Sequence, residues 1–356
     1  MVRALELAAK GMYTTTPNPR VGCVIVREGA VIGQGYHERA GEAHAEVAAL
    51  ADTQTRGLDA HGATLYVTLE PCAHHGRTPP CVDAVLAAGI ARVVAAMPDP
   101  NPAQQGGSAR LRNAGVAVEL GLCEREARDL NPGFISRMTR GRPWVRTKIA
   151  ASLDGRTALA NGESQWITGA EARTDGHAWR ARACALLTGI GTVLQDDPLL
   201  NVRHVATTRQ PRRVIIDRHG QTPASARILV GGEVVIVTAG ERNPAWPGHV
   251  EALPLPDARG RVDLPAMLRE LAARGIGELH VEAGAKLNGA LLDARLIDEI
   301  LLYVAPTVLG DPARGMFERA VPLAALANRT DFVLHDVQRI GSDVRLLARR
   351  GDGDAF

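Results

Sequence analysis

Short apolar runs rich in Val, Ile and Leu recur along the chain, separated by stretches with helical spacing and by Gly/Pro turns. "VGCVIV" (Val21–Val26) and "AVIGQGY" (Ala30–Tyr36) read as two strands of a hairpin about Glu28-Gly29. His44 to Ala51 is Ala-, Glu- and Leu-rich and reads as a helix starting near the histidine. "ATLYVTL" (Ala63–Leu69) is strand, Cys81 to Ala88 helix, and "ARVVAAM" (Ala91–Met97) strand again. "PDPNPAQQGGS" (Pro98–Ser108) is dense in turn formers and reads as a surface loop; "LRNAGVAVEL" then gives a helix end, a glycine stop and a strand. The leading "MVRALELAAKG" carries Glu6 within a helical pattern, so it reads as a first helix and not a signal peptide.

Gly and Pro punctuate the pattern at Thr139–Pro143, which suggests a boundary between domains 1–143 and 144–356. The second part opens with a strand and a Gly-containing turn in "WVRTKIAASLDGRTA". "ARACALLTGIGTVLQDDP" reads as helix end, strand and Gly-rich loop into a short helix. "RRVIID" (Arg212–Asp217), "EVVIVT" (Glu233–Thr238) and "ELHVEAG" (Glu278–Gly284) are further buried strands, with a helix at Leu264–Arg274 before the last. "DFVLHDVQRIGSDVRLLARR" reads as two strands around Gly341-Ser342. Strands alternating with helices in both halves predict two α/β domains.

Composition narrows the class. A length of 356 residues favours two cores over one. A formal charge of +2 with 3% aromatics argues against a surface that coats nucleic acid or stacks bases, while leaving room for a small phosphate pocket. No run reaches the roughly 18 apolar residues of a membrane span. Five scattered cysteines (Cys23, Cys72, Cys81, Cys123, Cys184) are no disulfide framework and suggest a reducing cytoplasm.

The chemistry concentrates in His44-Ala45-Glu46 and "PCAHHGRTPPC" (Pro71–Cys81). Catalytic zinc takes three protein ligands and leaves one position open. His44, Cys72 and Cys81 supply one nitrogen and two thiolates, a donor set that suits zinc. Glu46, two residues from His44, is placed to move protons without being a ligand, which is the division of labour of zinc nucleobase deaminases. Their general signature has two residues between the cysteines, whereas eight intervene here. Those eight include His74, His75 and Arg77; either histidine offers a fourth ligand and would turn a catalytic site into a structural one.

At these residues the chain resembles a known family. "TPNPRVGCVIV", "HAEVAAL", "LEPCAHHGRTPPC" and "DPNP" are similar to the deaminase domain of the bifunctional riboflavin-biosynthesis deaminase-reductases, whose own cysteine spacing is the eight-residue gap. "KIAASLDGRTA", "GESQWIT", "TVLQDDPLLNVR" and "VEAGAKLNGALL" resemble their reductase domain. The resemblance implies a cytidine-deaminase-like α/β/α domain followed by a dihydrofolate-reductase-like α/β domain. It implies zinc-dependent deamination of a diaminopyrimidinone ribosylamine phosphate, then NADPH-dependent reduction of its ribosyl group to a ribityl chain. Two departures are Ala43, where the family usually has Pro, and "AQQGGSA" after "DPNP", where a Gly-x-Gly is usual.

Carried over to this sequence, the resemblance makes His44, Cys72 and Cys81 the zinc ligands, Glu46 the acid/base, and Asn18 a neighbour of the pyrimidine. Ala150, Trp166, Thr192, Asp196 and the segment Gly284, Ala285, Lys286, Leu287, Asn288, Gly289, Ala290 would line NADPH. Ser164, Arg180, Leu200, Arg203 and Glu282 would line the substrate, and Lys148 is a pocket cation on the first strand of the domain. Read alone, the second half has no Gly-x-Gly-x-x-Gly after a strand, so a Rossmann domain is not expected. The backbone at Gly284 is suited to a nucleotide phosphate at a helix N-terminus, Arg180 and Arg203 to a phosphate ester, and Asp196 is the candidate proton donor for the reduction. The expected partners are a small-molecule substrate and further copies of the chain, as a dimer or tetramer, with neither nucleic acid nor membrane.

Overall fold

The computed structural model describes residues 1–75 and 79–351 and divides into two compact units, Met1–Gly141 and the part from Arg142 onward. In the first unit the order is α1 (Val2–Lys10), β1 (Gly22–Arg27), β2 (Ala30–Tyr36), α2 (Ala45–Thr55), β3 (Thr64–Val67), α3 (Cys81–Ala87), β4 (Arg92–Ala95), α4 (Gly107–Asn113), β5 (Ala117–Leu120), α5 (Glu124–Leu130) and α6 (Pro132–Arg140). The sheet runs β2-β1-β3-β4-β5; β1 pairs antiparallel with β2 and β3, and the β3-β4 and β4-β5 pairs are parallel. Ile25, Leu65, Val67 and Val93 of the strands bury against Ala49 and Leu50 of α2 and Val82 and Val85 of α3.

Two glycines set how closely α2 approaches the sheet. A Cβ at Gly35 on β2 would lie 2.6 Å from both the Ala48 Cβ and the Ala49 nitrogen, and one at Gly33 would lie 2.5 Å from the Ala49 carbonyl. Only hydrogen fits there, so α2 lies flat on β2 and its first turn, carrying His44 and Glu46, is fixed in height above the strands.

The second unit comprises β6 (Trp144–Ser152), β7 (Arg156–Ala158), α7 (Ala170–Arg182), β8 (Ala185–Gly189), α8 (Ile190–Asp196), β9 (Arg212–Ile216), β10 (Val234–Thr238), β11 (Val250–Pro254), α9 (Leu264–Ala273), β12 (Glu278–Val281), α10 (Ala285–Asp293), β13 (Glu299–Ala305), β14 (Arg314–Gly315), β15 (Phe332–Ile340) and β16 (Asp343–Arg350). Nine strands form one sheet in the order β11-β10-β9-β8-β12-β6-β13-β16-β15, parallel from β11 to β13 and closed by the antiparallel pairs β13-β16 and β16-β15. Successive strand residues enter opposite cores: Leu187, Val214 and Val237 pack with α9 residues on one face, and Leu186, Ile215 and Ile236 with Ile228, Leu229 and Trp246 on the other. Both faces being covered explains why these strands read as unbroken apolar runs.

The apolar pattern does not announce β13, because its approach carries Asp298 and its first residue is Glu299. Both acids are buried and satisfied from far along the chain. Asp298 accepts from Arg142 Nη1 and Nη2 at 2.7 and 2.6 Å, and Glu299 pairs with Arg146 and with Arg349. Arg146 itself is fully buried on β6, reaches Glu278 of β12 at 3.1 Å and stacks 4.4 Å from the centroid of the Trp179 ring. The network ties together β12, β6 and β13, three adjacent strands of the sheet. Gly107 begins a helix inside the stretch expected to be loop. No described helix is long and apolar enough to cross a membrane.

We expect Gly35→Val to overpack the α2–β2 contact at a cost of about 1–3 kcal/mol. Thermal denaturation should show a Tm lowered by several degrees, and metal analysis a lower zinc content than wild type.

Candidate active sites

In the first unit two of the three candidate metal-ligating side chains sit at helix N-termini and the third on a loop. His44 is the N-cap of α2 and Cys81 the first residue of α3; Cys72 lies on the loop after β3. The donor atoms of His44, Cys72 and Cys81 all lie within 4.8 Å of one another. His44 Nδ1 is 3.1 Å from Cys81 Sγ and 3.7 Å from Cys72 Sγ. A tetrahedral zinc with bonds of about 2.1–2.3 Å needs nitrogen–sulfur edges of roughly 3.5 Å, so the set fits the ion with little adjustment.

The electrostatics point the same way. Cys72 Sγ accepts the Cys81 backbone N–H at 3.3 Å. The hydrogen bond from the Cys81 thiol, with help from His44, brings the Cys72 thiol down to about 4, while that same pairing together with burial pushes Cys81 far up. The two sulfurs are thus close enough to act on each other directly, with Cys72 the one favoured as thiolate. The thiolate also lifts the His44 imidazole above its ordinary value. His74 and His75 are exposed and stand outside this cluster, which among the described residues has three members. Arg77 lies outside the described residues.

Glu46 is 4% exposed, in the first turn of α2. Burial is the main reason its carboxyl is raised to about 7, with the Cys72 charge adding to the effect. A group that titrates near neutrality beside the metal pocket can both accept and return a proton.

Sequence reasoning did not single out the neighbouring polar residues that build this pocket. Glu70, in the "LEPC" run, accepts from the Asp99 backbone N–H at 3.1 Å and the Ser108 N–H at 2.7 Å, clamping the 98–108 loop beside the cysteines. Asp99 is buried, and burial raises it to about 6. His37 is buried too, and it meets Asn18 Nδ2 at 3.0 Å and the His44 ring edge-on at 5.4 Å between centroids. Asn18 therefore lies in the neighbourhood of the metal cluster, connected to it through His37.

In the second unit, most of the expected residues gather at the carboxyl ends of β6, β8 and β12, where parallel α/β sheets bind ligands. Ala150 and Lys148 lie on β6, Thr192 and Asp196 on α8 directly after β8, and Glu282 follows β12 and leads to Gly284, the N-cap of α10. Arg180 of α7 makes a two-pronged pair with Glu282 at 2.5 and 2.8 Å and donates to the Asn201 carbonyl at 3.0 Å. Burial alone would raise the Glu282 carboxyl, but Arg180, His280 and Lys148 hold it well below the carboxylate range. Burial lowers Lys148, with Arg180 pushing the same way against Glu282. Arg203 donates to Asn201 Oδ1 at 2.9 Å, and burial and Arg180 both act against its charge. His177, beside both arginines, is held down to about 4 by burial and their charges. Arg180 pairs with Glu282 while Arg203 and Lys148 lie within reach of its charge, an excess of positive charge that favours an anionic ligand.

Other expected residues sit differently. Leu200 is 4% exposed in the core with Leu186 and Ile215, leaving its left-handed backbone (φ 44°) as the part that can face a ligand. Asn288 is buried and donates to the Ala283 and Met316 carbonyls, and a Cβ at Gly289 would lie 1.8 Å from the Glu318 carbonyl oxygen. Both hold α10 in place. At Gly284 a Cβ would meet nothing within 4 Å, so the open side of this segment is its N-terminus. Trp166 is 67% exposed with Arg173 4.7 Å from its ring, Ser164 is half-buried on the same connection, and Asp196 is exposed with its carboxyl raised by partial burial.

A zinc-deaminase unit followed by a dihydrofolate-reductase-like unit defines a two-activity enzyme. Residues 1–97 match the cytidine and deoxycytidylate deaminase zinc-binding region, and residues 143–346 match the RibD C-terminal domain. The chain is 48% identical to the riboflavin biosynthesis protein RibD of Escherichia coli, covering 97% of each chain, and 40% identical to that of Aquifex aeolicus, covering 98% and 97%. It superposes on Acinetobacter baumannii RibD with a TM-score of 0.91 at 46% identity, covering 99% of this chain and 98% of that one. A Thermotoga maritima structure, described as a diaminohydroxyphosphoribosylaminopyrimidine deaminase/5-amino-6-(5-phosphoribosylamino)uracil reductase, also gives 0.91, at 36% identity and 99% and 97% coverage. The chain belongs to the RibD family of riboflavin biosynthesis, and it is an enzyme with both deaminase and reductase activity.

Replacing Cys81 by Ser should remove a thiolate and reduce zinc, measured by atomic absorption, from about one per chain to a small fraction. Far-UV circular dichroism should stay close to wild type, because the cluster lies at helix ends and not within the core sheet.

Proposed function

We propose that the first unit hydrolytically deaminates 2,5-diamino-6-ribosylamino-4(3H)-pyrimidinone 5′-phosphate, and that the second reduces the ribosyl group of the product to a ribityl chain with NADPH. The observation that carries the deaminase half is the buried Glu46 beside a three-membered His/Cys cluster. His44, Cys72 and Cys81 hold the zinc, which when bound supplies the Lewis acidity that brings the pKa of water to about 7. Glu46 takes a proton from the attacking water and gives it to the departing nitrogen, so that ammonia leaves and the carboxylate is restored. Asn18 lies against the pyrimidine.

In the second unit, Arg180, Arg203 and Lys148 supply the positive charge for the phosphate ester, with Ser164, Leu200 and Glu282 completing the substrate pocket. Ala150, Trp166, Thr192, Asp196 and the segment from Gly284 to Ala290 form the NADPH side, with Gly284 and Ala285 at the open N-terminus of α10 for a cofactor phosphate. The residues fit this cofactor: an unobstructed helix N-terminus adjoins a pocket with surplus cations. NADPH supplies the hydride; the chain's part is to orient both molecules and to offer a proton from Asp196. A homo-oligomer belongs to the same reading and is supported by the edge strand β15, which exposes Val333, Leu334 and Val337. So does a cytoplasmic setting, supported by five free cysteines.

Glu46→Gln should keep about one zinc per chain while ammonia release falls by roughly 10²- to 10⁴-fold. Arg180→Met should leave ammonia release unchanged and raise the KM for the deaminated intermediate in NADPH oxidation by roughly tenfold or more. Zinc-replete wild type that releases no ammonia from the diaminopyrimidinone phosphate would overturn the deaminase assignment.

A further inference from the structure

We infer that His37 is a positioning residue of the deaminase, fixing which end of the Asn18 side-chain amide faces the pyrimidine. The inference rests on the reading that Asn18 contacts the substrate. His37 follows β2, and its backbone N–H donates to the Val21 carbonyl at 2.9 Å, so its place is set by the sheet. Its side chain is 3% exposed.

The ring's hydrogen bonds determine its tautomer. Nδ1 lies 3.0 Å from the Ala43 carbonyl oxygen, which can only accept, so Nδ1 carries the proton. Nε2 lies 3.0 Å from Asn18 Nδ2, which can only donate, so Nε2 presents its lone pair. With Nδ1 facing a carbonyl and Nε2 facing an amide nitrogen, each nitrogen has one role in these contacts. A turned amide would set Asn18 Oδ1 against that lone pair, so His37 rejects the flipped side chain. The backbone around Asn18 is tied as well: its N–H donates to the Thr15 carbonyl at 2.9 Å, and Arg137 donates to the Pro17 carbonyl at 3.1 Å. With one Nδ2 hydrogen committed to His37, Asn18 is left with Oδ1 free to accept from an N–H or amino group on the pyrimidine edge. Specificity for a ring presenting a donor there would then originate one residue behind the one that touches it.

The test is steady-state ammonia release from the diaminopyrimidinone phosphate by His37→Ala, His37→Gln, Asn18→Ala and the double variant, with zinc content and Tm measured alongside. Each alanine variant should raise KM roughly tenfold with a smaller change in kcat. The double variant should be no worse than the worse single one, because the two residues act as a unit. The Gln variant, whose amide oxygen can accept from Asn18, should recover part of the loss; zinc should stay near one per chain and NADPH oxidation with the deaminated intermediate should be unchanged. Independent, multiplying effects of the two alanine variants would overturn the inference, as would a His37→Ala loss that simply follows zinc loss. An Asn18→Ala enzyme with unchanged KM would instead overturn the underlying reading that Asn18 contacts the pyrimidine.

Discussion

Two cysteine sulfurs and an imidazole nitrogen within 4.8 Å of one another, in a mostly buried pocket, cannot all be in their metal-binding forms unless a cation stands between them. Their pairing with each other drives the two thiols in opposite directions, Cys72 down and Cys81 up. The surrounding fold serves to hold this unfavourable arrangement in readiness. Two helices direct their N-termini at it, which suits thiolates, and the glycines of β2 let α2 settle low enough for His44 to reach both sulfurs. The same burial that sharpens the need for a cation raises Glu46 to about 7. In the proposed function, metal binding and proton transfer therefore share one desolvated pocket.

The second unit meets a related problem with charge of the opposite sign. Arg180 pairs directly with the one carboxylate, Glu282, Arg203 and Lys148 feel its charge at longer range, and the His177 imidazole beside them is held low. Such a cluster is stable only if the strands beneath it cannot give way. The buried Arg146, paired with Glu278 and Glu299, joins β12, β6 and β13 of the same sheet. Removing one member would leave an unpaired buried charge, so this network fixes the frame even if its net contribution to stability is small.

Much of this was legible in the sequence, for reasons that can be named. The His44, Glu46, Cys72 and Cys81 pattern is carried by residue types with few other uses in such spacing, and parallel strands covered on both faces read as plain apolar runs. Elements whose stability comes from distant partners were hidden. β13 reads as too acidic for a core strand until Arg146 and Arg349 are brought to Glu299 across more than a hundred residues for the former. Glu70 and His37 gave little local signal, because their roles are to hold a loop and an amide that meet them only in the folded chain. In the reductase segment, the run from Gly284 to Ala290 divides: its start is open, whereas Asn288 and Gly289 face inward and anchor the helix. A linear motif marks such a segment as a whole; only packing separates the residues that face a ligand from those that support them.

The central claim is that the cluster in the first unit is an open, three-ligand zinc cage and not a closed structural site. The most direct measurement is zinc K-edge X-ray absorption on the purified, zinc-loaded protein. The account predicts two sulfur scatterers at about 2.3 Å, two lighter atoms at about 2.0–2.1 Å, and the outer-shell signature of a single imidazole. A shell containing two imidazoles or a third sulfur would mean that the fourth position is filled by the protein, which would contradict it.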